Sequence, residues 1–138
     1  MKKTFLILIG ILFSLLSIGQ SYYRAVSTEL YEYNSEKEEW FLKTKFSDTK
    51  IIVVIEEQFI TIQAKSPTMY KVFSETKEDI NTEKLLGYRY DARDLKLDLG
   101  VKIDVIRFKE SNLAMVSVVN RINGYNMRFF VEPMQNNE

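Results

Sequence analysis

Along most of the chain, apolar and polar residues alternate in short runs, the period expected of strands with one face buried and one face wet. Leu86, Tyr88, Tyr90 and Ala92 fall on one face of such a run, with Gly87, Arg89 and Asp91 on the other. Val101, Ile103 and Val105 oppose Lys102 and Asp104, and Ile60, Ile62 and Ala64 alternate with Thr61 and Gln63. The β-branched and aromatic residues in these runs favour a pleated surface over a helix. Residues 51–55 are apolar on both faces, so that strand is expected to have neighbours on both sides.

Short punctuation separates the runs, which predicts antiparallel hairpins rather than parallel strands needing long crossovers. Glu56-Glu57-Gln58 and Ser66-Pro67 each mark a turn. An opening hairpin pairs 26–33 with 39–45 through Asn34-Ser35-Glu36-Lys37-Glu38. Asn123-Gly124 is the strongest turn signal, because a type I′ turn needs positive φ at both central residues and this dipeptide tolerates it. It is expected to join a strand near 113–119 to one near 125–131. Residues 75–84 are polar and break the rhythm, reading as a loop or about two helical turns. The predicted fold is all-β, a single antiparallel meander of about eight or nine strands. Its edges must be closed into a barrel or half-barrel, or covered in a two-sheet sandwich.

The first residues follow a different pattern. Lys2 and Lys3 precede an apolar run over 5–18 that carries no charge and is shorter than the roughly 17–25 residues needed to cross a bilayer as a helix. Residues 1–19 are therefore expected to be a cleaved signal peptide and 20–138 one β-rich domain. Small residues at Ser17 and Gly19 favour a cut before Gln20, with Gly19 and Ser21 allowing one before Tyr22. No cysteine is available for lipid attachment, so an exported product without a membrane span is expected, periplasmic or extracellular.

Composition mainly excludes functions. Loss of Lys2 and Lys3 leaves 17 Lys+Arg against 19 Asp+Glu, a slightly acidic balance that gives no electrostatic basis for binding nucleic acid. With no His and no Cys, the commonest general base, the usual metal imidazole and the thiolate nucleophile are all missing. No phosphate-cradling glycine motif occurs. Carboxylate chemistry remains, and its densest cluster is Asp91, Asp94 and Asp98, with Asp104 further on. A glycosidase pair would need two of these facing each other across a cleft. A calcium loop would need more ligands, and the spacing does not match an EF-hand. Arg89, Arg93 and Lys96 intersperse enough positive charge that the expected role is to cap turns and pair locally. The expectation is a non-enzyme with no catalytic residues, no metal and no cofactor.

The sequence of Glu39-Trp40, the apolar run 51–55, a tight turn, Ile60-Thr61-Ile62, Tyr70-Lys71-Val72, and then Asp94 and Gly100 before Ile103 resembles uncharacterised small secreted β-rich proteins of Bacteroidetes type. The resemblance covers the whole mature chain and implies no catalytic or binding residues. A more distant likeness, at the level of fold, is to the lipocalin and fatty-acid-binding barrels, through an early Trp followed by a meander. The Gly-x-Trp signature of lipocalins is absent, since Glu38 and Glu39 precede Trp40.

Aromatic residues are numerous, with eight Tyr, nine Phe and one Trp. Tyr22, Tyr23, Tyr31 and Tyr33 crowd the mature N-terminus, either as a sticky patch for a glycan or a protein, or simply as the cover of a sheet. Met115 and Met127 sit at strand positions as core filling. Alternation points Ile60, Ile62, Tyr70, Val72, Tyr88, Tyr90, Ile103, Val105, Val116, Val118, Met127 and Phe129 inward, with Trp40 beside them. Side chains this large are expected to fill a small barrel without a ligand-sized cavity. A module that recognises a protein or glycan through its surface is thus the first functional expectation, and a lipocalin-like carrier of a small apolar ligand the alternative.

Overall fold

The computed structural model describes residues 20–47 and 50–134, so the expected signal peptide, 1–19, lies outside the described residues. These residues form nine strands: β1 (Ser21–Asn34), β2 (Glu39–Ser47), β3 (Ile52–Ile55), β4 (Phe59–Gln63), β5 (Thr68–Asn81), β6 (Leu85–Asp94), β7 (Leu99–Phe108), β8 (Ala114–Asn120) and β9 (Tyr125–Pro133). All pairings are antiparallel in the order β2-β1-β3-β4-β5-β6-β7-β8-β9, and β9 returns to β1. The sheet therefore closes as an eight-stranded barrel rather than a sandwich, joining β1 to β9, while among the described residues β2 keeps one edge and the lower part of β5 another without a strand partner.

The ninth strand is accommodated by sharing. β2 pairs with β1 over Ser27 to Asn34, and β3 pairs with the same edge of β1 over Ser21 to Arg24. β2 and β3 thus lie one after the other along β1, and only β3 goes on to pair with β4. Two irregularities bend β1 for this double duty. One leaves Val26 unpaired opposite β9, and the other leaves Lys43 unpaired opposite Leu30 and Tyr31.

Inward positions follow the alternation expected. Ile60, Ile62, Tyr70, Val72, Ile103, Val116, Val118 and Phe129 are buried in one cluster, and Tyr90, Val105 and Met127 pack against it. The both-faced run at 51–55 is flanked by β1 and β4, with Val53 buried in the core cluster and Val54 buried outside it. On the outer face, the pairing register lines up Lys45, Glu29, Arg128, Ser117, Asp104, Arg89 and Glu78 across seven strands. Within that row Arg89 grips Asp104 through two hydrogen bonds of 2.8 and 2.9 Å, and Arg128 lies 4.3 Å over the ring of Tyr31.

Two local expectations are corrected. Residues 75–84 are neither loop nor helix: 75–81 continue β5 past an irregularity between Phe73 and Glu78, and only 82–84 turn. The lower part of β5 pairs with β6 alone, so neither of its faces need be apolar. The Asn123-Gly124 turn is not type I′, since Gly124 alone has positive φ, at 67°. It belongs to a four-residue loop that recurs at 35–38, 95–98 and 121–124. In each, an Asx side chain just before the loop accepts backbone N–H bonds, and the fourth residue (Glu38, Asp98 or Gly124) is left-handed. The reason is length: four residues let three stay in ordinary conformations, where a two-residue turn would force two into positive φ.

Candidate functional site

The three Asx-capped loops and the 64–67 turn gather at one end of the barrel, where Leu95 N–H donates to Met69 O at 3.1 Å and Tyr33 N–H to Gly124 O at 2.8 Å. At the other end the wall is uneven. The β3–β4 hairpin ends at 56–58, where Val72 N–H reaches Gln58 O at 2.8 Å, while β5 and β6 run on to the 82–84 turn. Below Val72 the barrel has a notch on the β4 side.

Beside this notch lies a cavity of about 380 Å3. Its walls are the core residues Ala114, Val116 and Val131 together with Tyr23, Ile55, Tyr88 and Val105. Leu86, Arg107, Asn112 and Pro133 also line it, with Gly87 and Ile106 between them. The expectation of a filled interior therefore holds for the middle of the barrel and fails at this mouth. The physical cause is twofold: β8 and β9 present small or β-branched residues there, and the short β3–β4 hairpin ends at 56–58, with Ile55 the residue it brings to the lining.

Tyr88 shows this most directly. It shares the inward face of β6 with Tyr90 and Ala92, yet is 41% exposed and absent from the core cluster. Its ring lies 6.3 Å from that of Tyr90, and Lys77 Nζ sits 3.7 Å from its centroid, a cation–π contact at the rim. Burial pushes the Tyr90 hydroxyl above the usual tyrosine range, with Tyr88 adding to the shift. The Arg107 side chain makes no hydrogen bond or ion pair among the described residues. The mouth is thus an apolar cavity with two cations at its edge.

The acidic residues singled out above are spread over the β6–β7 hairpin. Asp94 is buried and its Oδ1 accepts the N–H groups of Lys96 and Leu97 at 2.9 and 3.0 Å. Asp98 accepts from Arg93 Nε at 2.7 Å, which holds its carboxyl below the usual range. Asp104 pairs with Arg89, and Asp91 stands 3.5 Å from Lys102. Among the described residues no three acids converge where a metal ion could be held. Of the N-terminal tyrosines, Tyr23 packs on the core, Tyr31 is covered by Arg128, and Tyr22 and Tyr33 are exposed. Met127 packs against the core as expected, while Met115 lies on the opposite face of its strand from Val116 and Val118. Trp40 is not beside the core: it is half-buried at the start of β2, its ring 5.2 Å from Tyr33.

Fold and mouth together define a small closed antiparallel barrel with an apolar cavity at one end. No protein-family model matches the chain, and comparison with curated proteins and with solved structures finds no match either.

Proposed function

We propose that this chain is an exported, non-catalytic binding protein that carries a small amphiphile, apolar body inward and anionic head outward, in the mouth of its barrel. The observation that carries this reading is the cavity of about 380 Å3 continuous with the core at Val116 and Val131. Its size is at the lower end of the range for small-molecule sites, about 300–1,000 Å3, so the ligand is small. Lys77 and Arg107 at the rim favour a carboxylate or similar head group. Export is supported by the Lys2-Lys3 pair and the short apolar run that follows it.

The test is calorimetric titration of the mature protein with decanoate and with decanol. Saturable binding near one equivalent is expected, tighter for decanoate, and abolished by Ala114→Phe, which places a ring in the cavity. Absence of binding heat for both ligands, or binding unchanged in a folded Ala114→Phe variant, refutes the assignment.

A further inference from the structure

At the opposite end of the barrel, on its outer surface, Tyr33, Trp40, Arg121 and Gly124 enclose a second depression of about 330 Å3. Tyr33 and Trp40 are direct cross-strand partners whose rings meet at 59°, and Tyr33 remains 42% exposed. Gly124 brings the 121–124 loop against them: a Cβ there would lie 3.8 Å from Tyr33 Cβ. Arg121 forms no hydrogen bond or ion pair among the described residues, so its guanidinium is available to a ligand.

Arg121 also borders an open groove of about 570 Å3 that continues across β8, β7 and β6 to β5. Phe73 and Val119 give this groove apolar walls, and Glu75, Asp91 and Lys102 give it hydrogen-bonding groups. Gly100 forms part of its floor, where an added Cβ would meet nothing within 4 Å.

A partly exposed aromatic pair beside a guanidinium without a partner among the described residues complements a sugar ring that bears a carboxylate. The rings take the apolar C–H face, and arginine takes the two carboxylate oxygens. Glu75 and the Asp91–Lys102 ion pair along the adjoining groove suit the hydroxyls of further rings. A peptide fits less well, because β6, β7 and β8 are paired on both sides and offer an extended chain no free ladder. Glu75 and Asp91 disfavour a phosphate backbone, and equally a run of uronates, so the rings on the groove are neutral and only the one at Arg121 is charged. We propose that the two depressions form one binding site for an oligosaccharide with a single terminal uronate, the uronate on Arg121 and its neutral neighbours lying along the Gly100 groove.

Trp40 is the only tryptophan, so its emission reports directly on this site. Titration of the mature protein with glucuronosyl-xylotriose, which carries one terminal uronate, should give a saturable change, about tenfold weaker for uncharged xylotetraose and for the Arg121→Gln variant, as loss of one charge-assisted contact implies. Gly100→Phe, which fills open space, should weaken glucuronosyl-xylotriose and leave glucuronate monomer unaffected. Equal binding of the charged and uncharged tetrasaccharides, indifference to Arg121→Gln, or no response to glucuronosyl-xylotriose overturns the proposal. Tighter binding of hexaglutamate than of glucuronosyl-xylotriose also overturns it, in favour of a peptide. None of these outcomes depends on the mouth cavity, which decanoate probes separately.

Discussion

Truncating Asp94 to Ala removes the acceptor around which the β6–β7 loop is built. Its Oδ1 receives two backbone N–H groups, from Lys96 and Leu97, and its own carbonyl oxygen accepts from Asp98 N–H at 2.8 Å. The side chain is only 3% exposed, so water does not simply take its place. Removing a capping side chain costs about 0.5–2 kcal/mol, and leaving a buried donor without a partner costs about 1–3 kcal/mol. Taken together these imply about 2 kcal/mol, or a fall of about 8 °C in Tm for a domain of this size. Asp94→Asn separates geometry from charge. Asn34 plays the same role for Glu36 and Lys37, at 3.0 and 3.1 Å, and Asn120 plays it for Asn123 at 3.0 Å. Asn at position 94 should therefore cost no more than about 0.5 kcal/mol. Calorimetric and urea melts of the three proteins at pH 7 measure the difference. If Asn proves as costly as Ala, the carboxylate acts through its charge and the shared loop logic is wrong.

Gly87 and Gly100 give a matched pair of further predictions. A Cβ on Gly87 would stand 1.9 Å from Val105 O, so Gly87→Ala should lose about 3 kcal/mol or more, whereas Gly100→Ala, with open space around it, should be neutral or slightly stabilising; similar urea midpoints for the two variants would contradict this. Burial foremost, then the nearby Asp94 charge, pushes the Tyr70 hydroxyl above the usual tyrosine range. A raised pKa in the folded state means that this contribution is intact below the unfolded value of about 10 and is lost as pH climbs beyond it. Stability should accordingly fall between pH 9 and pH 11, and by less in Tyr70→Phe. Identical pH slopes for the two proteins would remove Tyr70 as the cause.

Most strands were legible because alternation is a local property. Ile60 with Ile62, Ile103 with Val105 and Val116 with Val118 declare their faces within five residues, and all six pack in or against the core. The lower part of β5 was illegible for the opposite reason. With no β4 beside it, residues 75–81 carry no apolar face, and a strand without one reads as a loop. The Asx loops were half visible. Asn34, Asp94 and Asn120 each precede the next strand by five positions, a spacing that becomes meaningful only when the three are compared. The cavity was hidden because it depends on the difference in reach between two hairpins, β3 with β4 and β5 with β6. Neither sequence contains that comparison. The aromatic depression was hidden because Arg121 meets Tyr33 and Trp40 only when β9 closes on β1.

Alternation also leaves one ambiguity that the charged residues resolve. A strand that slips by one residue turns its apolar face outward and is heavily penalised, but a slip of two keeps every face correct. On β6 and β7 the inward pairs are Tyr88 with Val105, Tyr90 with Ile103 and Ala92 with Val101, and a two-residue slip would still match apolar with apolar. The outward pairs do not tolerate it. In the observed register Arg89 faces Asp104 and Asp91 faces Lys102. One slip would set Asp91 against Asp104 and Arg93 against Lys102, and the opposite slip would set Arg89 against Lys102. Each like-charged pair opposes pairing by about as much as a good pair supports it, roughly 0.2–1 kcal/mol, so two register states differ by several such terms. Lys71 does face Arg93 across β5 and β6, but there Arg93 is held by Asp98. Of the acids that would be catalytic candidates by residue type alone, Asp91 and Asp104 thus have a role in register, and that role explains why they alternate with arginine and lysine along β6 and β7.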